Sequence, residues 1–207
     1  MRDDGATTRF CDEEPWGFGW FRKGDRFVRT SHALLADGGV WLVDPLDAPG
    51  VEERVRALGE PRGVIQLLDR HARDGAAWAA RLGVPHHVVP FAPVGPFELV
   101  PLVRSRWWRE AALWWPGERV LAIADALGSI PYFRGGDEPL GVHPLLRLRP
   151  PWPLLRLAPE HVLVGHGRGV HGPETAAAMR DSIRAARRRL PRAWAGAALS
   201  PLRGRRR

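Results

Sequence analysis

The chain has 207 residues, of which 44% are hydrophobic and 26% are charged, a composition that suits one sizeable core and excludes wholesale disorder. The net charge of +8 is carried almost entirely by arginine, concentrated between Arg180 and Arg207, so a compositional origin has more support than a nucleic-acid-binding surface. Without an apolar run near ~18 residues or a secretory-signal layout, and with Cys11 as the single cysteine, we expect a cytoplasmic protein that binds no membrane.

The first part of the chain alternates between strand-like and helix-like patterns. Residues 1–14 are polar and acidic, and we predict that they are frayed. Phe27–Leu35 and Val40–Val43 are predicted strands, joined by the turn signal Asp37-Gly38-Gly39. The elements predicted next are a helix with apolar positions at Val51, Val55 and Leu58, a buried strand over Val64–Leu68, a short helix around Trp78 that ends before Gly83, and a strand over His86–Val89. This alternation predicts an α/β layer architecture.

The second part is interrupted by proline-rich segments. We predict a surface loop over Pro90–Pro101 and two strands, Ala111–Trp115 and Arg119–Ala124, joined by Pro116-Gly117. A strand over His161–Val164 and a helix that begins near Pro173 follow. The predicted organisation is one domain over residues 15–190 and a basic, disordered tail over residues 191–207.

Three groups of polar residues follow predicted strands. They are the loop Asp69–Asp74, Asp125 and His166. Ligands of layered α/β proteins gather at the carboxyl ends of strands, so these groups are expected to converge. Aspartate and histidine hold zinc, manganese or iron, which activate a bound water.

The order of these motifs resembles the metallo-β-lactamase superfamily between Ser31 and His171. The motifs are WLVDP at residues 41–45, an apolar strand that leads into the loop, LAIADAL at residues 121–127, and GHG at residues 165–167. The resemblance implies a four-layer αββα sandwich of two mixed β-sheets. It also implies hydrolysis of an ester, thioester, amide or phosphoester bond by a metal-activated water.

The loop departs from the superfamily pattern His-x-His-x-Asp-His. Here residues 69–74 read DRHARD, so only His71 keeps its type, and Arg73 stands where an aspartate for a second metal is expected. The next histidine of the pattern is missing from residues 104–109, which read RSRWWR. The ligands that the resemblance leaves are Asp69, His71, Asp74, Asp125 and His166.

Arg73 limits what this site can hold. A guanidinium cannot ligate a cation and stays protonated, so the expectation is one zinc, manganese or iron ion at most. Arg73 would then act as an oxyanion or phosphate clamp on a small-molecule substrate. The alternative is a non-catalytic, metal-free relative that binds a small anion or a protein partner, with Arg73 paired to Asp69.

Several residues have open assignments at this point. Asp74 is either a ligand or the N-cap of the following helix, and Asp44 is interpreted as a structural residue of the loops. His171 is a further candidate to line the site. The arginine tail is interpreted as a solvated terminus, with nucleic acid as the alternative partner.

Overall fold

The computed structural model describes residues 7–191. Six strands form the first sheet in chain order: β1 (Thr8–Glu14), β2 (Gly17–Arg22), β3 (Ser31–Ala36), β4 (Gly39–Val43), β5 (Pro61–Gln66) and β6 (His86–Val88). The later strands are β7 (Glu98–Arg104), β8 (Arg109–Trp115), β9 (Val120–Ile123), β10 (Leu127–Gly128), β11 (Gly141–Val142), β12 (His161–Val164) and β13 (Val170–His171). Five of these form the second sheet, in the order β13-β12-β9-β8-β7, and β10 pairs with β11 in a short ribbon.

Both large sheets are mixed. In the first sheet β4, β5 and β6 run parallel, and the other pairings are antiparallel. In the second sheet β9 and β12 are the parallel pair. β9 is apolar and buried along its whole length, and β5 and β12 are buried except at Arg62 and the partly exposed His161. These three strands lie in the interior of their sheets, with a neighbour on each side.

Three helices cover the outer faces of the sheets: α1 (Val51–Leu58), α2 (Gly75–Leu82) and α3 (Thr175–Ala185). One core cluster lies between the sheets and joins Leu34 and Ile65 to Leu113 and Leu163. Two further clusters contain the helices, one with Val55 of α1 and Trp78 of α2 against the first sheet, the other with α3 against the second. The predicted four-layer αββα sandwich is therefore confirmed.

Local sequence signals explain the ends of these elements. Asp37 and Gly38 both have positive φ, as a two-residue turn between β3 and β4 requires. Gly83 ends α2 in the left-handed conformation and donates its N–H to the carbonyls of Ala79 and Ala80. Ala176, Met179 and Ile183 are buried on one side of α3, as their spacing predicts.

Two boundary predictions are wrong. Residues 8–14, predicted to be frayed, form β1, which is held by its pairing with β2. The loop predicted over the proline-rich segment extends to Pro101, but β7 already begins at Glu98. Pro101 has no N–H to donate, and the strand tolerates it because it lies beside a shift in the register between β7 and β8. Apart from residue 191, the predicted basic tail lies outside the described residues.

No helix within residues 7–191 combines the length and the apolar character needed to cross a membrane.

Candidate metal centre

Three side chains meet where strands of the two sheets end. His71 lies in the loop after β5, Asp125 follows β9, and His166 follows β12. β9 and β12 are parallel neighbours with Ile123 opposite Val164, so Asp125 and His166 leave the second sheet at the same edge. The loop of the first sheet brings His71 to them, and one ligand atom from each residue lies within 4.8 Å of the others.

The carboxylate of Asp125 is the meeting point. Its Oδ1 lies 3.1 Å from Nε2 of His71 and 3.2 Å from Nε2 of His166. Despite these short distances, this buried Oδ1 has no hydrogen-bond partner of acceptable geometry among the described residues. Burial opposes the charge of Asp125, but the contacts with His166 and His71 outweigh it and hold its pKa well below the usual range. Asp125 is therefore an ionised carboxylate.

The remaining ring nitrogens of both histidines have acceptors of their own. Nδ1 of His166 lies 2.8 Å from the carbonyl oxygen of Phe27, and Nδ1 of His71 lies 3.2 Å from Oδ2 of Asp44. A proton on each Nδ1 satisfies these contacts and leaves both Nε2 lone pairs directed to the centre. A metal-binding histidine has the same arrangement.

Asp44 fixes the orientation of the His71 ring. Its Oδ1 accepts the N–H of Leu67, 2.9 Å away, while its Oδ2 faces His71. The residue is buried and has a φ of 44°. A left-handed conformation in a residue other than glycine costs about 1–3 kcal/mol and is retained where the surroundings require it. Asp44 is structural, as interpreted from the sequence, and its function is to orient His71.

The structure directs the guanidinium of Arg73 towards backbone carbonyls beside the centre. Its guanidinium donates to the carbonyls of Thr30, Asp44 and Gly165, the last two at 2.9 and 3.0 Å. These carbonyls belong to loops of both sheets. The guanidinium also lies 3.3 Å from Nδ1 of His71. We assign the Nδ1 proton to the 3.2 Å contact with Oδ2 of Asp44, because a carboxylate oxygen accepts hydrogen bonds.

The clamp predicted for Arg73 is therefore corrected. Both terminal guanidinium nitrogens donate to backbone carbonyls, and Nε is buried, so the group holds the two sheets together instead of facing a substrate. Burial lowers the pKa of Arg73 despite the opposing charges of Asp44 and Asp125, but a guanidinium remains protonated at neutral pH. Burial and the same cation oppose the charge of His71, and the contacts with Asp125 and Asp44 still raise its pKa, so an ion at Nε2 would compete with a proton for that nitrogen.

Asp69 and Asp74 are not part of the group formed by His71, Asp125 and His166. Asp69 accepts the N–H of Arg109 at 3.0 Å and lies 3.9 Å from Arg70, which replaces its predicted pairing with Arg73. Asp74 accepts the N–H of Asp47 at 2.7 Å. It precedes α2 but makes no capping hydrogen bond with its side chain. Both loop carboxylates thus accept hydrogen bonds from backbone N–H groups. Of the five predicted ligands, the structure brings together His71, Asp125 and His166.

Glu110 is a site residue that the sequence analysis missed. It is fully buried in β8, and its Oε1 accepts the N–H groups of Asp125 and Ala126, each at 2.8 Å. Its Oε2 accepts the indole N–H of Trp108 at 2.8 Å. Burial raises the pKa of Glu110 to about 7 against these three donors. The available signal was an acidic residue directly before the apolar run Ala111–Trp115.

Aromatic rings border the centre on the side of His166. Phe133 stacks on the His166 ring with centroids 5.6 Å apart, and Phe27 meets it edge-on at 6.4 Å. Tyr132 contacts both Phe27 and His143. Burial, and then the charge of Asp125, raise the pKa of Tyr132, so its phenol stays protonated and can donate a hydrogen bond.

Solved structures with a related fold include metallo-β-lactamases. DIM-1 metallo-β-lactamase, in a crystal exposed to ceftazidime, aligns with a TM-score of 0.59 at 14% identity, over 87% of this chain and 98% of that one. A metallo-β-lactamase from Pontibacter korlensis aligns at 0.57 and 11% identity, over 86% and 99%. The flavodiiron protein from Giardia intestinalis aligns at 0.53 and 9% identity, over 86% of this chain and 59% of that one. No family model and no curated protein matches the sequence.

Replacement of Arg73 by methionine tests its structural role. Three carbonyls would lose a charged donor, and breaking a buried charged contact costs about 3–5 kcal/mol. We expect the Tm to fall by about 6–20 °C. Arg70→Met is the matched control, because Arg70 lies in the same loop with an exposed side chain, and its Tm should change by about 2 °C or less. Equal Tm values for the two variants in thermal unfolding would contradict the role of Arg73.

Glu110 makes a prediction about pH. Its raised pKa means that the folded state holds the proton more tightly, so its stabilising contribution is present at low pH and is lost as pH rises through about 7. Relative to Glu110→Gln, the free energy of unfolding of the wild type should decrease by about 2–3 kcal/mol between about pH 5 and pH 8. The measurement is urea unfolding in chelator. The exposed Glu98→Gln should keep the wild-type dependence, and parallel curves for Glu110→Gln and the wild type would refute the assignment.

Proposed function

From the metallo-β-lactamase fold of this chain, we propose a metal-dependent hydrolase with one divalent ion held by His71, Asp125 and His166. Its substrate would be a small molecule with an ester, thioester, amide or phosphoester bond. When bound, the ion lowers the pKa of a coordinated water from about 15.7 towards ~7 and polarises the bond under attack. Two imidazoles and one carboxylate suit zinc, and manganese or iron remain compatible with the set.

The orphaned Oδ1 of Asp125 is the observation that carries the proposal. A buried carboxylate oxygen without a hydrogen bond costs about 1–3 kcal/mol or more, and here two imidazole nitrogens converge on it at 3.1 and 3.2 Å. A shared cation would use all three atoms. The side chains are only 10–16% exposed, so the group is recessed but open to solvent on one side.

The protein's own residues define what this site can do. Asp44 and the carbonyl of Phe27 hold both histidines in the tautomer with a free Nε2. Glu110 fixes the backbone of Asp125 through two N–H groups. Phe133 and Phe27 exclude water from one side of His166. With three protein ligands, a coordination position stays open, which is the pattern of a catalytic site rather than a structural one.

Tyr132 takes the part that the sequence analysis gave to Arg73. The phenol is half-buried beside the aromatic border and stays protonated, and the charge of Asp125 reaches it. We propose that it donates a hydrogen bond to the negative charge that develops on the attacked carbonyl or phosphoryl oxygen. The exposed guanidinium of Arg70 lies over the Trp108 ring at 4.3 Å, and both Trp108 and Tyr132 contact His143. We propose that its positive charge favours an anionic substrate.

Asp125→Asn tests the ion and the chemistry together. The amide keeps the shape but loses the charge and one acceptor, so we expect the loss of one equivalent of metal from protein purified without chelator. Hydrolysis of chromogenic ester, thioester, amide and phosphodiester substrates should fall more than about 100-fold, since even outer partners of a ligand matter 10–100-fold. Metal content is measured by elemental analysis.

The matched control for Asp125→Asn is Asp74→Asn, whose carboxylate lies outside the group. It should retain both metal and activity. If the wild type carries only traces of transition metal, or if Asp125→Asn keeps the metal content of the wild type, the proposed hydrolase is wrong. The metal-free alternative, a protein that binds a small anion or a partner, would then be favoured.

Tyr132→Phe tests the oxyanion role. Removal of a single oxyanion donor costs about 10²–10³-fold in kcat, and we expect a loss in the lower part of that range with metal content and KM nearly unchanged. A role in packing alone would leave both kcat and the Tm nearly unchanged, because the ring contacts of Tyr132 survive in phenylalanine. Steady-state kinetics on the best substrate of the panel distinguishes the two.

A further inference from the structure

A second group of histidine and carboxylate side chains lies at the opposite end of β12. It contains Glu14 at the end of β1, His161 at the start of β12 and His171 in β13. β12 extends about 3.3 Å per residue, so the five residues from His161 to His166 separate this group from the first centre by about 16 Å. The structure corrects the prediction that His171 lines the first site, because β13 pairs with β12 and places His171 opposite His161.

The three facing atoms have the separations of ligands on one small cation. Nδ1 of His161 lies 2.9 Å from Nδ1 of His171, and Oε1 of Glu14 lies 3.8 and 3.7 Å from them. A point at about 2.0 Å from all three atoms exists within this triangle, which is the length of zinc bonds to histidine and carboxylate. The carboxylate distances are too long for hydrogen bonds and right for ligands that share an ion.

Asp12 fixes the direction of His171. Its Oδ1 lies 3.2 Å from Nε2 of His171 and accepts the N–H of Gly169 at 2.9 Å. Because a carboxylate oxygen accepts, the contact with Asp12 assigns the proton of His171 to Nε2, and Nδ1 is left with its lone pair facing His161 and Glu14.

The backbone of β1 is shaped for this arrangement. The pairing of β1 with β2 shifts register between Cys11 and Glu14, and Asp12 has a φ of 50°. Bulges of this kind redirect side chains next to functional sites, and a left-handed aspartate is costly enough to need a reason. Here the distortion brings Asp12 beneath His171 and Glu14 beside both histidines.

We propose that Glu14, His161 and His171 form a second metal site, distinct from the catalytic centre, that takes Zn²⁺. Two imidazoles and one carboxylate are a zinc ligand set, with water in the fourth position, and Asp12 is the outer partner that orients His171. β1 is an edge of the first sheet and β13 an edge of the second. The ion therefore joins the two sheets at the end of the sandwich remote from Asp125, and its effect is on stability.

Zinc stoichiometry tests this site in the full chain. After removal of metal with chelator and dialysis, titration calorimetry with Zn²⁺ alone should give two equivalents for the wild type and one for His171→Ala. Glu14→Gln, which keeps the side-chain shape, should weaken that equivalent about tenfold or more. His87→Ala is the control, since His87 belongs to neither group, and it should retain two equivalents. Retention of both equivalents in His171→Ala would overturn the proposal. His161 and His171 of the wild type would then be a hydrogen-bonded pair that holds no ion.

Thermal unfolding separates this site from the catalytic one. In a His71→Ala background, Zn²⁺ at about 100-fold excess over its dissociation constant should raise the Tm by about 5–10 °C. The same addition to the His71→Ala, His171→Ala double variant should leave the Tm unchanged. An equal rise in both would show that the ion binds elsewhere. Because His71→Ala removes the first centre, the outcome does not depend on whether the proposed hydrolase is active.

Discussion

The buried guanidinium of Arg73 is the contact on which the candidate centre depends. It donates to carbonyls of Thr30, Asp44 and Gly165, which belong to three separate segments and to both sheets. The Asp44 carbonyl also accepts the Ser31 hydroxyl, and the Gly165 carbonyl also accepts the Thr30 N–H, so the guanidinium belongs to a network of hydrogen bonds that joins these segments. Arg73 itself has a φ of 42°, so the loop accepts backbone strain in order to place the cation there.

The ligands are positioned mainly by backbone rather than by one another. Asp125 and His166 share an edge because β9 and β12 are parallel and in register, and Glu110 holds the N–H groups of Asp125 and Ala126 at that edge. His71 comes from the other sheet and is oriented by Asp44. Since the first sheet supplies one ligand and the second supplies two, the geometry of the centre requires the sandwich to be closed, which is the condition that Arg73 maintains.

The sequence predicted the sandwich better than the site, for a physical reason. Strand and helix patterns are local, so the turn at Asp37 and Gly38, the buried β5 and the stripe of α3 were all readable from spacing. The direction of a loop side chain depends on residues that are distant in the chain. The carboxylates of Asp69 and Asp74, for example, accept the backbone N–H groups of Arg109 and Asp47. The partners of Arg73, and the pairing of His161 with His171, depend in the same way on contacts that only the folded chain creates.

The charge balance around His71 makes the candidate centre compatible with a single ion. The carboxylate of Asp44 faces Nδ1 of the imidazole and that of Asp125 faces Nε2. Arg73 already contributes one positive charge beside the ring. With one divalent ion on the Nε2 side, the two carboxylates, the guanidinium and the ion have a net charge of about +1. A second ion would add strong repulsion, because charges interact strongly in a recessed site. With Asp74 turned to Asp47, a second ion would also lack ligands. Arg73 thus supplies a fixed cation beside His71 without occupying the atoms that His71, Asp125 and His166 offer to an ion.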